Sequence, residues 1–151
     1  MAGNIPYYIT SPIIEKLLTA NNHPARIVLL IQKEVAERIA DEKETVLSLF
    51  VKNHADVRLG SVVKKEEFTP PPKVDSQVII LEPKEPQIDD EVFKLIKLGF
   101  VAPRKKLIHN LELIKSKDKL KDIFEELGFS EDVRPADLHL KDYERLFQNM
   151  I

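Results

Sequence analysis

The spacing of apolar and polar positions changes along this chain and predicts the order of its secondary-structure elements. The apolar, β-branched run from Ile27 to Ile31 has the length of a strand. Such a run is typical of a strand buried on both faces, as in a parallel sheet that helices cover. Apolar positions at helical spacing flank it, from Ile13 to Leu18 before it and from Gln32 to Ile39 after it.

The first of these helices carries a start signal. Thr10 or Ser11 can act as the N-cap with Pro12 in the first turn, because a hydroxyl accepts a free helix N–H and proline has none to satisfy. Residues 1–3 show neither a strand nor a helix pattern, so we expect no regular element before Asn4.

Three more elements are expected before residue 82. Apolar residues between Leu47 and Val51 predict a second helix. The segment from Val57 to Val63 predicts a strand with a bend at Gly60, and Val74 to Leu81 predicts another strand after a run of prolines.

The pattern changes at Glu82 to Pro86, a polar segment with prolines that is typical of a linker. Beyond it the apolar spacing is helical, with Gly128 placed to end one helix and the last helix expected after Pro135. We therefore predict an α/β part at residues 1–82, a linker at residues 83–87 and a helical domain at residues 88–151.

The composition narrows the classes of function. The chain has 151 residues, a formal net charge of −2 and no Cys, which excludes disulfides, thiolate metal sites and cysteine nucleophiles. The His residues lack metal-ligand spacing, so we expect no metal site and assign His109 and His139 to surface or capping positions. The chain shows no apolar run of membrane-spanning length and no signal-peptide pattern, so we expect a cytoplasmic protein without a membrane partner.

The first candidate site lies at the N-terminus, in the segment from Asn4 to Thr10. The side-chain carbonyl of Asn4 and a backbone carbonyl aimed by Pro6 can accept both hydrogens of an adenine amine, while Tyr7 stacks on the base. The alternative is an ordinary turn, since Asn and Pro are common turn residues.

The second unusual segment runs from Phe68 to Ser76 and contains three consecutive prolines, which hold the backbone extended. It is either a rigid approach to the following strand or a stiff wall that holds Phe68 over a cleft, with Lys73 facing phosphate.

A third candidate is the basic triplet Arg104, Lys105 and Lys106. The segment from Glu91 to Lys121 contains nine Lys and Arg residues and only three acidic residues, although the whole chain is slightly acidic. This local excess favours a phosphate-binding surface, with a solvated helix face as the alternative.

Together, four segments in this order resemble the KsgA/RsmA family of small-subunit ribosomal RNA adenine N6,N6-dimethyltransferases. They are Asn4–Pro12, Gln32–Arg38, Phe68–Ser76 and Pro103–Leu107. The resemblance covers nearly the whole chain. It implies an α/β fold, namely the C-terminal part of a Rossmann-like class I methyltransferase sheet followed by a small all-helical domain.

The resemblance also implies an activity: dimethylation of adenosines in small-subunit (16S) rRNA during ribosome maturation, with S-adenosylmethionine as the cofactor. The resemblance further implies which residues act on the rRNA of an immature small subunit. Those implied for catalysis are Asn4, Pro6 and Tyr7, and Asn4 is also expected to contact the cofactor. Those implied for binding the rRNA are Phe68, Lys73, Arg104, Lys105 and Lys106.

The family binds its methyl donor with a glycine-rich loop and an acidic strand end, whereas this chain has only four isolated glycines. We therefore expect a fragment that holds the acceptor-base pocket and the RNA-binding domain, and that neither binds the donor nor turns over alone. Thr45 and Val46 stand where the family usually has a Tyr-Gly pair, so no RNA contact is assigned there.

Two alternative functions remain open at this point: a non-catalytic rRNA-binding module in ribosome assembly, and a large-subunit rRNA adenine methyltransferase of the antibiotic-resistance type. A sheet that lacks its first strands would expose the edge of the strand at Ile27–Ile31. We therefore expect self-association through that edge.

Overall fold

A computed structural model describes all residues from Met1 to Ile151, which form two compact units. The first contains residues 1–41 and 50–86, and the second contains residues 42–49 and 87–151. Residues 42–49, which the sequence placed in the first part, group with the C-terminal helices because Leu49 is fully buried in their core. Glu44 N–H also donates to the Ala136 carbonyl at 2.9 Å.

The chain contains four strands and seven α-helices. The strands are β1 (Ala2–Asn4), β2 (Ile27–Gln32), β3 (Ala55–Val63) and β4 (Ser76–Pro83). The helices are α1 (Thr10–Thr19), α2 (Lys33–Ala40), α3 (Val46–His54), α4 (Asp90–Gly99), α5 (Leu107–Leu111), α6 (Lys117–Leu127) and α7 (Leu140–Met150). Short 3₁₀ helices cover Tyr7–Ile9, Lys65–Glu67 and Pro135–Asp137. None of the helices combines the length and the apolar character that crossing a bilayer requires.

The sheet of the first unit has the strand order β1-β2-β4-β3 and mixed directions. β1 and β2 run parallel, whereas β4 pairs antiparallel with both β2 and β3. The expectation of a parallel sheet is therefore wrong except for β1 and β2, which the crossover helix α1 connects.

Burial along β2 alternates, so the expectation of a strand buried on both faces holds fully for one face only. Ile27, Leu29 and Ile31 are at most 2% exposed, whereas Val28 and Leu30 between them are half-buried. Because strand side chains alternate between faces, one face of the sheet forms the core of this unit and the other is only partly covered.

The expectation of no element before Asn4 is wrong, because β1 covers Ala2–Asn4 and pairs with Val28–Leu30. An Ala-Gly-Asn segment has no apolar alternation, so only its pairing partner defines it as a strand. β1 therefore pairs with the edge of β2 that was expected to be exposed. The outer strands of the sheet are β1 and β3.

The first helix starts differently from the expected capping arrangement. Ile9 occupies the N-cap position without a side-chain cap, and Thr10 is the first helical residue. The Thr10 hydroxyl donates to the Tyr7 carbonyl at 3.1 Å, which ties α1 to the 3₁₀ helix before it.

The predicted bend in β3 is confirmed by a shift in its pairing with β4 between Leu59 and Val62. A Cβ atom added at Gly60 would lie 3.0 Å from the Val78 side chain, which is tighter than an ordinary contact, so the close approach of the two strands favours glycine there.

The second unit is a helical bundle whose core contains Phe124 and Tyr143. The Tyr143 hydroxyl donates to the Pro135 carbonyl at 2.8 Å, and burial raises the pKa of this phenol, so it remains a donor. Gly128 ends α6 in the left-handed conformation with φ of 77°, which confirms its predicted position after the helix. The last helix, α7, starts beyond the 3₁₀ helix Pro135–Asp137, as expected.

Candidate functional site

A cavity of about 340 Å³ lies beside the N-terminal segment of the first unit. It brings together residues that are distant in the sequence and that come from two of the segments singled out above. Its lining consists of Asn4, Ile5, Pro6, Tyr7, Phe68, Pro70 and Pro72. The candidates Asn4, Pro6, Tyr7 and Phe68 therefore share one pocket, whereas Lys73 is exposed and does not line it.

Two hydrogen bonds hold Tyr7 in this pocket, one at its hydroxyl and one in the backbone turn that carries it. The Tyr7 hydroxyl forms a hydrogen bond with the Ser76 hydroxyl on β4, and Ser76 is only 1% exposed. The Ile9 N–H donates to the Pro6 carbonyl at 3.2 Å and closes the 3₁₀ turn that carries Tyr7. The ring is thus fixed by the sheet, and its orientation does not depend on a ligand.

Asn4 and Pro6 offer acceptors at the same pocket. Asn4 is the last residue of β1, and its exposed side-chain amide makes no hydrogen bond within the chain. The Pro6 carbonyl already accepts the Ile9 N–H, but a carbonyl oxygen has two lone pairs and retains capacity for a second donor. An amino group in the pocket would therefore meet residues that offer two acceptor atoms.

Phe68, Pro70 and Pro72 form a further part of the pocket wall, and the Thr69–Pro70 peptide bond is cis. Asp75 anchors this wall to the rest of the unit. Its carboxylate accepts the Lys65 N–H at 2.9 Å, and its carbonyl accepts the Lys33 N–H at 3.0 Å. These bonds fix the start of β4 beside α2 and hold the proline segment between Phe68 and Asp75.

The sequence did not assign a role to Ile5 or Ser76, although the structure places Ile5 in the pocket lining and Ser76 against the Tyr7 hydroxyl; Pro70 and Pro72 line the pocket, as the wall interpretation of the proline segment expects. Each lies within a segment that the sequence singled out. The unusual composition of these segments was therefore the only sequence feature that pointed to these residues. The spacing of residues along the chain does not show that Tyr7 pairs with Ser76.

The basic triplet lies in the second unit, in the turn between α4 and α5. Buried Asn110 shapes this turn by donating from its amide to the Gly99 carbonyl at 2.6 Å and to the Ala102 carbonyl at 3.0 Å. Arg104 and Lys105 are exposed and have no ion-pair partner.

Lys106 differs from its two neighbours, because its ammonium forms an ion pair with Asp132. A hydrogen bond from Lys106 lowers the pKa of the Asp132 carboxyl. Part of the positive charge predicted for this surface is therefore already neutralised at Lys106.

The histidines have roles in local structure. His139 is the N-cap of α7, and its Nδ1 lies 2.9 Å from the Glu44 carboxylate, which Ser48 also contacts. His109 Nδ1 lies 3.3 Å from the Glu112 carboxylate. No three His, Asp or Glu side chains come together in a metal-binding arrangement.

A model of the family described as ribosomal RNA adenine dimethylase matches residues 1–151. The chain belongs to this family. A relative from Lactobacillus johnsonii, described as ribosomal RNA small subunit methyltransferase A, is 39% identical over 97% of this chain and 52% of its own length. The chain spans about half the length of such relatives, so it corresponds to only part of the family's sequence.

Solved structures confirm the fold class predicted from the sequence. A dimethyladenosine transferase from Plasmodium falciparum is 28% identical, with a TM-score of 0.79 over 97% of this chain and 64% of that protein. The 23S rRNA methyltransferase ErmE is 21% identical, with a TM-score of 0.75 over 99% of this chain and 64% of that protein. Both show that the four-stranded sheet and the helices that follow have the Rossmann-like rRNA methyltransferase architecture.

Proposed function

We propose that this chain holds the acceptor side of an S-adenosylmethionine-dependent enzyme that dimethylates adenosine N6 in small-subunit rRNA during ribosome maturation. The observation that carries the proposal is the shared pocket of Asn4, Pro6, Tyr7 and Phe68 in a member of the adenine dimethylase family. The relatives described as small-subunit methyltransferases support the choice of substrate.

Asn4 and Pro6 would orient the reacting nitrogen. Adenine N6 is a weak nucleophile because its lone pair is delocalised into the ring. If the Asn4 amide oxygen and the Pro6 carbonyl accept its two hydrogens, the nitrogen becomes more pyramidal and its lone pair points away from both acceptors. This arrangement acts by positioning and by stabilising the transition state, without a general base.

Tyr7 and Phe68 would hold the base itself. Tyr7 is bonded to Ser76, and Phe68 lines the same pocket. A base extruded from RNA loses its stacking partners, and aromatic rings in a pocket replace them.

S-adenosylmethionine supplies the methyl group when it is bound, and Asn4 would be a contact for it within these 151 residues. The Asn4 amide is exposed at the pocket and has no partner within the chain. The sole glycine with positive φ is Gly128 at the end of α6, and no turn after a strand has the glycine-rich form that binds such a donor. We therefore propose that the chain alone does not transfer methyl groups.

The helical residues 88–151, after a linker at 83–87, would act as the rRNA-docking domain. Arg104 and Lys105 are the free cations of the basic triplet, and Lys73 is an exposed cation after the proline wall. Cations of this kind bind RNA phosphates and displace condensed counterions, and their contribution falls as the salt concentration rises, because release into a more concentrated solution gains less entropy. Lys106 would contribute less because Asp132 pairs with it.

The deciding experiment is methyl transfer from labelled S-adenosylmethionine to unmethylated small ribosomal subunits. It compares the chain alone with the chain joined to a family N-terminal half. We expect activity only in the joined protein, and a loss of about 10²–10³-fold on changing Asn4→Ala or Tyr7→Ala. Thr19→Ala, on the exposed end of α1, is the matched control and should leave the rate unchanged.

Each result of this experiment has a separate meaning. Turnover by the isolated chain would contradict the proposal that it cannot use the donor. Binding of immature subunits without methyl transfer in either protein would favour a non-catalytic assembly module. With large ribosomal subunits as a second substrate, transfer to large-subunit rRNA alone would indicate an enzyme of the antibiotic-resistance type.

A further inference from the structure

Tyr8 is the only exposed aromatic side chain of the protein. The chain has seven Phe and three Tyr residues, and all except Tyr8 are buried or half-buried. Tyr8 is 86% exposed, and its hydroxyl makes no hydrogen bond within the chain. Isolated apolar residues are common on protein surfaces, so exposure alone does not indicate a function for Tyr8. A function is indicated by where Tyr8 lies.

Tyr8 directly follows Tyr7 in the 3₁₀ helix beside the pocket. Successive side chains on such a helix point about 120° apart, so the Tyr7 ring enters the pocket while the Tyr8 ring stands outside it. The turn is held by the Ile9 N–H to Pro6 carbonyl bond at 3.2 Å and by the Thr10 hydroxyl to Tyr7 carbonyl bond at 3.1 Å. The backbone that carries the free ring is therefore fixed next to the pocket.

We propose that Tyr8 is a stacking platform for the nucleotide that adjoins the target adenosine. This inference rests on the proposed function, because it takes the pocket as the site of an extruded adenine. The Cα atoms of Tyr7 and Tyr8 are about 3.8 Å apart, as in any trans peptide. A nucleotide one phosphodiester link from the base on Tyr7 is within reach of the neighbouring ring.

The physical reason lies in the extrusion itself. When the target base leaves the stack, the adjacent base loses a stacking partner and exposes one face to water. An aromatic ring at that position restores the contact, and it accepts any base because every base has a π-face. Tyr8 would thus be a positioning residue that stabilises the extruded state and sets the strand's path without contacting the reacting nitrogen.

The test uses the full chain and single-stranded oligouridines. One oligonucleotide carries a single adenosine with a fluorescent pyrrolocytosine directly beside it, and another carries the pyrrolocytosine far from the adenosine. An all-uridine oligonucleotide with the same label measures the preference for adenosine. We compare the wild type with Tyr8→Ala, Tyr8→Phe and Val101→Ala, the last being an exposed residue of the helical unit.

We expect quenching of the adjacent label only, because stacking on an aromatic ring quenches pyrrolocytosine. Tyr8→Ala should abolish this quenching and weaken binding by about 5- to 150-fold. Tyr8→Phe should preserve both, because it keeps the ring, and Val101→Ala should behave as the wild type. The preference for adenosine over all-uridine should persist in Tyr8→Ala, since Tyr7 and Asn4 are unchanged.

The outcomes separate this inference from the proposed function. Adenosine preference without quenching of the adjacent label would overturn the role of Tyr8 and leave the pocket assignment standing. Tyr8-dependent quenching without adenosine preference would support the platform and contradict the pocket. Absence of both in the wild type would overturn both.

Discussion

The hydroxyls of Tyr7 and Tyr8 differ although the residues are adjacent. The Tyr7 hydroxyl bonds to Ser76, which is nearly inaccessible to water, whereas the Tyr8 hydroxyl is surrounded by solvent. A buried polar group that loses its partner pays its desolvation cost, and an exposed one exchanges the partner for water. The importance of each tyrosine hydroxyl is therefore set by tertiary surroundings.

This difference predicts the effect of removing each hydroxyl. Tyr7→Phe should lower the free energy of unfolding by about 1–3 kcal/mol, because the buried Ser76 hydroxyl loses its partner. Tyr8→Phe is the matched control and should change it by less than about 0.5 kcal/mol. Urea denaturation followed by far-ultraviolet circular dichroism measures both, and equal losses in the two variants would contradict the arrangement at Ser76.

At the scale of elements, Asp137 joins two segments of the helical unit. Its carboxylate pairs with Lys43 and accepts the Arg134 N–H at 2.9 Å, which caps the 3₁₀ helix Pro135–Asp137. The hydrogen bond from Lys43, followed by that from the Arg134 backbone, lowers the pKa of the Asp137 carboxyl below its usual value. These contacts help to hold residues 42–49 in the helical unit.

The lowered pKa of Asp137 makes the free energy of unfolding depend on pH. Because this carboxyl has a lower pKa in the folded chain than its value near 3.8 in the unfolded chain, it stabilises the fold at pH values above 3.8. This contribution is lost as the pH falls through the pKa of the folded state. Asp137→Asn should cost about 1 kcal/mol at neutral pH, and the difference from wild type should vanish in acid.

Unfolding free energies of both proteins from neutral to acidic pH provide the measurement. Glu126→Gln, at an exposed residue of α6 without an ion pair, is the control and should show no such convergence. A cost of Asp137→Asn that stays constant with pH would exclude the ion pair with Lys43 as its source.

At the scale of the whole molecule, the sheet of the first unit has incomplete cover. β1 and β3 are outer strands, and the face that carries Val28, Leu30, Val78 and Ile80 is only half-buried. Unpaired strand edges and partly exposed apolar faces favour association between chains. The association that the sequence predicted thus remains a prediction, with β1 in place of β2 as the edge on that side.

Sedimentation velocity at several protein concentrations tests this point. The isolated chain should associate increasingly with concentration, whereas the chain joined to a family N-terminal half should remain monomeric because more of its sheet is covered. A monodisperse monomer of the isolated chain that melts cooperatively would contradict the prediction.

Most elements could be predicted because their residues carry a local signal. The run at Ile27–Ile31, the bend at Gly60 and the helix end at Gly128 appear in the structure, since apolar spacing and backbone freedom are local properties. β1 could not be predicted, because three small or polar residues become a strand only by pairing with Val28–Leu30. The mixed strand directions were missed for a similar reason, since an apolar run does not encode the direction of its neighbours.

The family, the α/β-then-helical order and the candidate residues follow from the sequence alone, because short segments with unusual composition carry that information. Which of these residues meet depends on how distant segments pack. Phe68 shares a pocket with Tyr7 and Asn4 because β4 brings Ser76 to the Tyr7 hydroxyl, whereas Lys73 stays outside it. The same folding buries nine of the ten aromatic residues at least in part and leaves Tyr8 in water. Burial and proximity arise from packing between distant segments, and no local pattern specifies them.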